Sequence, residues 1–282
     1  HTGTWHSGRF GLLALTRGCP FGCTFCAYRQ TGYRQMPAKK AVDEMQRLKE
    51  TVGMDQFLLF DDIIALKPRY LEEMSELILE RHLDIRFVCC TRAELMPRKA
   101  LEGMKRAGLE QVAVGIESGS REVLDNIEKG NGPDDVRRVA KDCHETGVRF
   151  YGLCIIGLPG ETEKSVQDTI DLIRETKPFY SQFGFAIPYP NTPMWDWYES
   201  RNLFLHKDLG RFNPLNPEPV IRTEALARED LIRLRKKIYM ETSFSLSNLV
   251  RNIRWNDMAW NIQGAKEVGS RLLSLVGSKI VR

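Results

Sequence analysis

Cys19-Pro-Phe-Gly-Cys23-Thr-Phe-Cys26, directly after the apolar run Phe10-Gly-Leu-Leu-Ala-Leu-Thr16, sets three thiols within eight residues. Thiolates this close can face one metal centre. Cubane iron–sulfur clusters and structural zinc sites are usually held by four protein ligands, so a trio with no fourth Cys or His beside it leaves one coordination position open. The nearest histidines, His1 and His6, sit at the start of the chain. A disulfide knot would want an even count in a small secreted chain, whereas this one has seven cysteines in 282 residues and no secretory signal. Free thiols without such a signal point to a reducing cytoplasm.

Working outward, the length gives one large domain, or one with a small appendage, and is enough to bury a substantial core. Hydrophobic residues make up 42% and charged residues 28%, ordinary for a soluble globular chain. No apolar run approaches the roughly 18 residues of a membrane span. A net charge of +4 is too mild to imply nucleic-acid binding. The opening His1-Thr-Gly-Thr-Trp5 has no methionine, which fits a fragment or a trimmed chain.

Apolar β-rich stretches alternate with amphipathic helical ones over the first two thirds, the pattern of a parallel α/β fold. The expected strands are Arg9 to Thr16, Gln56 to Phe60, Ile85 to Cys90, Gln111 to Ile116, Arg149 to Ile156 and Ser181 to Ile187. Between them fall expected helices at Ala38 to Thr51, Pro68 to His82, Pro97 to Ala107, Pro133 to Thr146 and Glu161 to Thr176. Pro68, Pro97 and Pro133 mark helix starts, and Gly108 and Gly147 follow helix ends. Six such units make an open barrel, a partial (β/α)6 version of the TIM arrangement. Barrels of this kind place their sites at the C-terminal ends of strands. The unusual residues fall there: the cysteine loop, Asp61-Asp62, Thr91-Arg92, Gly115-Ile-Glu117-Ser-Gly-Ser120, Gly157-Leu-Pro-Gly-Glu161 and Pro188-Tyr-Pro-Asn-Thr192. Carboxylates at the ends of buried strands are costly unless paired.

Each rim residue has a structural reading beside a functional one. Asp61 and Asp62 suit a turn, a helix cap or a magnesium site. Ser118 or Ser120 suits the N-cap of a helix over Arg121 to Lys129. Arg92 suits an ion pair with Glu94 or Glu117, or an anion contact. Glu161 suits the first turn of a helix. Cys89, Cys90, Cys143 and Cys154 lack metal spacing and read as buried thiols.

The spacing C-x3-C-x2-C, with Phe25 before the last cysteine, resembles the signature of the radical S-adenosylmethionine (SAM) superfamily. The resemblance implies that Cys19, Cys23 and Cys26 bind a 4Fe-4S cluster whose open iron is chelated by the amino and carboxylate groups of SAM. It implies reductive cleavage of SAM to methionine and a 5′-deoxyadenosyl radical, with reduced flavodoxin or ferredoxin as electron donor. It also implies cofactor contacts at Phe25, at Asp61 and Asp62 for the SAM amino group, and at Glu117 and Ser118 for its ribose or methionine part; Arg92, the rim's most evident cation, suits the SAM carboxylate as well as it suits Glu94 or Glu117. Ile156 and Gly157 fall where backbone groups hold adenine, and Tyr189 where the pocket is lined. In more detail, Arg17-Gly-Cys-Pro-Phe-Gly-Cys23, Phe60-Asp-Asp62, Gly115-Ile-Glu-Ser-Gly-Ser120, Gly157-Leu-Pro-Gly-Glu-Thr162 and Pro188-Tyr-Pro-Asn-Thr192 resemble the cobalamin-dependent branch of that superfamily. Its members usually carry an N-terminal cobalamin-binding domain and include methyltransferases, cyclases and lipid-modifying enzymes. No such domain precedes Thr16 here and no Asp-x-His-x-x-Gly motif occurs, so the use of cobalamin stays open.

The resulting expectation is an α/β partial barrel over residues 1–200 and a mainly helical extension over residues 201–282. Its function is expected to be cobalamin-type methyl transfer to an unactivated carbon of a small-molecule, lipid or natural-product substrate. A cobalamin-free cyclase, oxidoreductase or rearrangement enzyme is the alternative, and a structural metal-binding interaction module the reading from another class. After the proline-rich Phe212 to Pro219, a helix is expected from Thr223 onward, its basic residues forming a solvated face. Trp255, Met258 and Trp260 are candidates to close the barrel's open side.

Overall fold

The computed structural model of the chain describes residues 10–213 and 215–242; His1, His6, Trp255, Met258 and Trp260 lie outside the described residues. In chain order the elements are β1 (Phe10–Leu13), β2 (Thr16–Arg17), β3 (Arg34–Gln35), α1 (Ala38–Val52), β4 (Gln56–Leu59), α2 (Pro68–Glu80), β5 (Arg86–Arg92) and α3 (Arg98–Arg106). They continue with β6 (Leu109–Glu117), α4 (Arg121–Asn126), α5 (Pro133–Thr146), β7 (Arg149–Ile156), α6 (Glu163–Thr176), β8 (Tyr180–Phe185), α7 (Pro193–Ser200) and α8 (Arg228–Thr242).

The main sheet has six strands in the order β1-β4-β5-β6-β7-β8, every neighbouring pair parallel. Strand order that follows chain order without reversal is the order of a barrel wall, whereas a doubly wound sheet reverses at its switch point. The alternation of side chains along each strand divides the two faces. Phe57, Leu59, Phe87, Cys89, Val112, Val114, Phe150 and Phe183 are buried in one hydrophobic cluster with the helices. Their strand neighbours Leu12, Leu58, Cys90, Ala113 and Leu153 are half-buried or exposed and form the other, open face.

The helices supply matching apolar stripes. Ala38, Ala41, Val42 and Met45 are the buried residues of α1, and Tyr70, Leu71, Met74 and Ile78 the buried apolar ones of α2, the i, i+3, i+4 spacing that puts them on one side. Burying each Phe of the cluster contributes about 2–3 kcal/mol. Gly108 ends α3 with φ 109, a left-handed conformation that glycine takes freely. The described residues beyond 200 pack on the same cluster through Leu203, Val220, Ile221, Leu231, Leu234 and Ile238.

The differences from the sequence pattern have local causes. The first strand stops at Leu13, because Leu15 and Thr16 turn their N–H groups to Asp61. Thr16–Arg17 instead pairs antiparallel with Arg34–Gln35 and closes the cysteine loop as a ribbon. The third strand runs on to Arg92 and the fourth to Glu117, carrying these residues within the sheet. The fifth helix of the pattern starts at Glu163 with Thr162 as its cap, which leaves Glu161 outside it. The C-terminal helix starts at Arg228, not Thr223, and α7 is an element the pattern did not offer.

Candidate functional site

The two aspartates after β4 reach back to the strand before the cysteine loop. Asp61 Oδ1 accepts the Leu15 N–H and the Thr16 hydroxyl, both at 2.8 Å, and also the Thr16 N–H. Asp62 Oδ2 accepts the Gly18 N–H at 2.6 Å. Burial pushes the Asp61 carboxyl above its ordinary range against these donors, and its Oδ2 is buried with no partner among the described residues.

The loop itself is sewn on all sides. Gln30 N–H donates to Phe21 carbonyl and Thr31 N–H to Cys19 carbonyl, both at 2.9 Å. Thr24 donates its N–H to Ile127 at the end of α4 at 3.0 Å and accepts from Met194 N–H of α7 at 3.1 Å. Gly18 has φ 84 and faces the Gly32 carbonyl so closely that a Cβ would collide with it.

Cys23 is buried and Cys19 and Cys26 are half-buried. Each sulfur takes an N–H donor: Phe21 backbone for Cys19, an Arg92 guanidinium N–H at 3.1 Å for Cys23, and the Tyr28 backbone at 3.4 Å for Cys26. Burial raises the Cys19 and Cys26 thiols, the donors oppose this, and the Cys23 sulfur adds to the rise in both. The trio therefore shares one electrostatic neighbourhood. Among the described residues no three acidic, His or Cys side chains converge as ligands of a single ion would. A cubane cluster asks for something else, one thiolate at each of separate corners. Three thiolates, three N–H donors and no fourth protein ligand fit such a cluster with one iron left for a second molecule. Among the other thiols Cys89, Cys143 and Cys154 are buried, and burial pushes Cys143 up to about 12.

At the rim, Arg92 is fully engaged. It pairs with Glu94, donates to the Lys129 carbonyl and to Cys23, and stacks on the Phe21 ring at 3.9 Å. Glu117, held at φ 59, accepts from Lys129 Nζ at 2.6 Å, with side chains only 9% and 5% exposed. Burial works against the Lys129 charge, but Glu117 outweighs it and the ammonium stays protonated above its ordinary range. Lys129 also lies 5.8 Å from the centre of the Phe25 ring.

Ser118 pins the rim turn rather than facing the opening: its hydroxyl accepts the Ser120 N–H at 3.2 Å and lies 3.4 Å from that of Thr169 on α6. Ile156 gives its carbonyl to Ala186 N–H at 2.8 Å, and Gly157 gives its N–H to Glu161 and its carbonyl to the Tyr198 hydroxyl. Tyr189 is exposed, and its carbonyl takes the Thr192 hydroxyl at 2.6 Å. The arrangement thus brings Cys19, Cys23, Cys26, Phe25, Arg92 and Glu117 together, links Asp61 and Asp62 to the loop's start, and leaves Ser118 and Tyr189 apart from the trio's contacts. Lys129 and Thr169 are the members the sequence reading passed over, while the Arg92 pair with Glu94 is one it offered. Thr91 Oγ1, Glu94 Oε2 and Asn131 Nδ2 are buried there without partners among the described residues, polar atoms that a bound molecule with donors and acceptors would satisfy.

Glu161 carries a prediction of its own. It is 1% exposed, and burial pushes its carboxyl from 4.5 up to about 8, against N–H donors from Gly157 and Leu158. The folded chain keeps this proton to higher pH than the unfolded chain. The stability it contributes is complete below the unfolded value and is lost as pH rises through the folded one. Denaturant unfolding is expected to fall by a few kcal/mol over that window, about 1.4 kcal/mol per pKa unit, and Glu161→Gln to flatten the profile. A profile equally steep in Glu161→Gln would exclude this group as the cause.

A family model described as the radical SAM superfamily matches residues 13–173. The chain is 29% identical over 247 residues to an uncharacterized methyltransferase of Pyrococcus horikoshii, covering 86% of this chain and 53% of that protein. It is 25% identical over 252 residues to the bacteriochlorophyllide d C-12(1)-methyltransferase of Chlorobaculum tepidum, covering 86% and 54%. The chain spans about half the length of these curated relatives. Among solved structures, the radical SAM methyltransferase TsrM of Kitasatospora setae, with cobalamin and a [4Fe-4S] cluster bound, superposes with TM-score 0.63 at 21% identity, covering 77% of this chain and 44% of that one. At that identity the likeness is one of fold.

Proposed function

The chain belongs to the radical SAM superfamily, and from that premise we propose that it is the catalytic core of an enzyme that cleaves SAM reductively in order to methylate a small molecule at an unactivated carbon. The observation that carries the reading is the three-thiol loop, each sulfur met by an N–H, at the C-terminal rim of a parallel partial barrel. When bound, the 4Fe-4S cluster and SAM supply one-electron chemistry that no amino-acid side chain can.

The chain's own residues have separable tasks. Cys19, Cys23 and Cys26 would hold the cluster. Arg92 places a buried charge and an N–H on the Cys23 sulfur, where they would offset the negative charge of a bound cluster. Asp61 and Asp62 fix the loop's start through backbone N–H groups, keeping the thiols at set positions. The Glu117 and Lys129 pair offers one acceptor and one donor to the polar parts of SAM, with Phe25 beside them. The half-buried apolar face of β4 to β7 limits water around a reactive intermediate.

Methyl transfer is favoured because both relatives described above are named methyltransferases, and cyclisation is kept as the second reading because an anaerobic magnesium-protoporphyrin IX monomethyl ester cyclase is also 25% identical over 230 residues. An acidic one-electron protein such as flavodoxin or ferredoxin is the proposed donor, and a reducing cytoplasm the proposed compartment. Among the described residues no helix is long and apolar enough to cross a membrane. The test is a product analysis of the reconstituted chain with SAM and reductant, with and without added cobalamin. Formation of 5′-deoxyadenosine together with cobalamin-dependent S-adenosylhomocysteine is expected. Formation of 5′-deoxyadenosine alone would overturn methyl transfer in favour of cyclisation or oxidation.

A further inference from the structure

The ribbon that closes the cysteine loop sets Arg17 directly opposite Arg34. Like charges facing each other across a two-stranded ribbon destabilise it, and both side chains are exposed. Among the described residues neither guanidinium has a hydrogen-bond or ion-pair partner. Both line a cavity of about 670 Å³ whose walls include Leu12, Tyr28, Phe60 and Asp62. Leu12 is 61%, Tyr28 58% and Phe60 69% exposed, so three large apolar side chains stand in water beside two unanswered cations. A clustered apolar patch rimmed by polar groups marks an interaction site more often than an accident of folding. The cavity's size is that of small-molecule sites. The Asp62 carboxylate also lines it, and one of its oxygens is committed to the Gly18 N–H, leaving two positive charges against one negative.

We propose that this cavity binds an anionic molecule with an apolar body. A carboxylate or phosphate head lies between the Arg17 and Arg34 guanidiniums, whose planar forks match such groups, and the body lies against Leu12, Tyr28 and Phe60. Because the cavity includes Gly18, which precedes Cys19, a molecule held there stands beside the cysteine loop. Naming it the substrate rests on the radical SAM reading above; the binding itself does not.

The test uses the full chain, without SAM, and two fluorescent probes: anionic 8-anilinonaphthalene-1-sulfonate and uncharged N-phenyl-1-naphthylamine. Wild type is expected to bind the sulfonate saturably. Arg17→Gln with Arg34→Gln is expected to weaken it about tenfold while leaving the uncharged probe unchanged, and Phe60→Ser to weaken both. Arg34→Gln alone serves if the double variant melts early. Sulfonate affinity within a factor of two of wild type in the arginine variant, or no saturable binding by wild type, would overturn the proposal. The cluster's spectroscopic response to SAM is read on wild type in parallel, so absence of that response in wild type removes the substrate assignment without touching the binding result.

Discussion

Cys26→Ala is expected to bind no stable cluster and to reduce SAM cleavage to background, while the apo chain melts within a degree or two of wild type. Cys26 is half-buried and its sulfur accepts only the Tyr28 N–H, at 3.4 Å, so its loss leaves little unsatisfied. Cys23→Ala should share the functional loss with an added cost in stability. Its buried sulfur is a partner of Arg92 at 3.1 Å, and leaving a buried donor unmet costs about 1–3 kcal/mol. Cys143→Ala is the control: it sits in the hydrophobic cluster away from the loop and should lose stability but no iron. Iron and sulfide analysis with thermal melts separates the three cases. Full iron content and SAM cleavage in Cys26→Ala would mean that the trio is not the ligand set.

Lys129→Met is expected to destabilise the chain by about 3–5 kcal/mol, because it strands the Glu117 carboxylate where it is 9% exposed and accepts from no other donor among the described residues. Joining it to Glu117→Leu should recover most of that stability, since replacing both members of a buried pair by apolar groups is close to neutral. The double variant then serves as a folded barrel that lacks the pair. It should keep its cluster and lose SAM affinity, read as a missing change in the cluster's spectrum on adding SAM. Denaturant unfolding of the four species closes the cycle. Normal SAM response in the stable double variant would assign the pair to architecture alone.

Much of this was legible in one dimension. A local signal announced itself wherever one element carried it: the apolar stretches of β4 to β8, the prolines that open α2 and α5, the glycine after α3, and the cysteine spacing. The links that shape the rim span long stretches of chain and leave no local trace. Asp61 answers Leu15 and Thr16 across 46 and 45 residues, and an acid after an apolar strand reads equally as a cap. Lys129 follows a short helix like any solvated lysine, and only the bend of β6 at Glu117, where the register with β7 slips, turns the two side chains together. Arg92 was legible as a cation but not as one whose donors are divided between Glu94, Cys23 and Lys129. The β2 and β3 ribbon is two residues long on each side, too short for alternation to show. Glu161 looked like a first-turn acid, but Thr162 takes the cap with a side chain that accepts the Ser165 N–H at 3.2 Å. The carboxyl is turned back to Gly157 instead.

The central claim, that the trio holds a cluster with an open iron, is tested most directly by reconstituting the full chain anaerobically with iron and sulfide. Dithionite reduction and electron paramagnetic resonance spectra with and without SAM follow. The account predicts a reduced 4Fe-4S signal whose shape changes when SAM is added. A chain that assembles no cluster, or a signal indifferent to SAM, would contradict it.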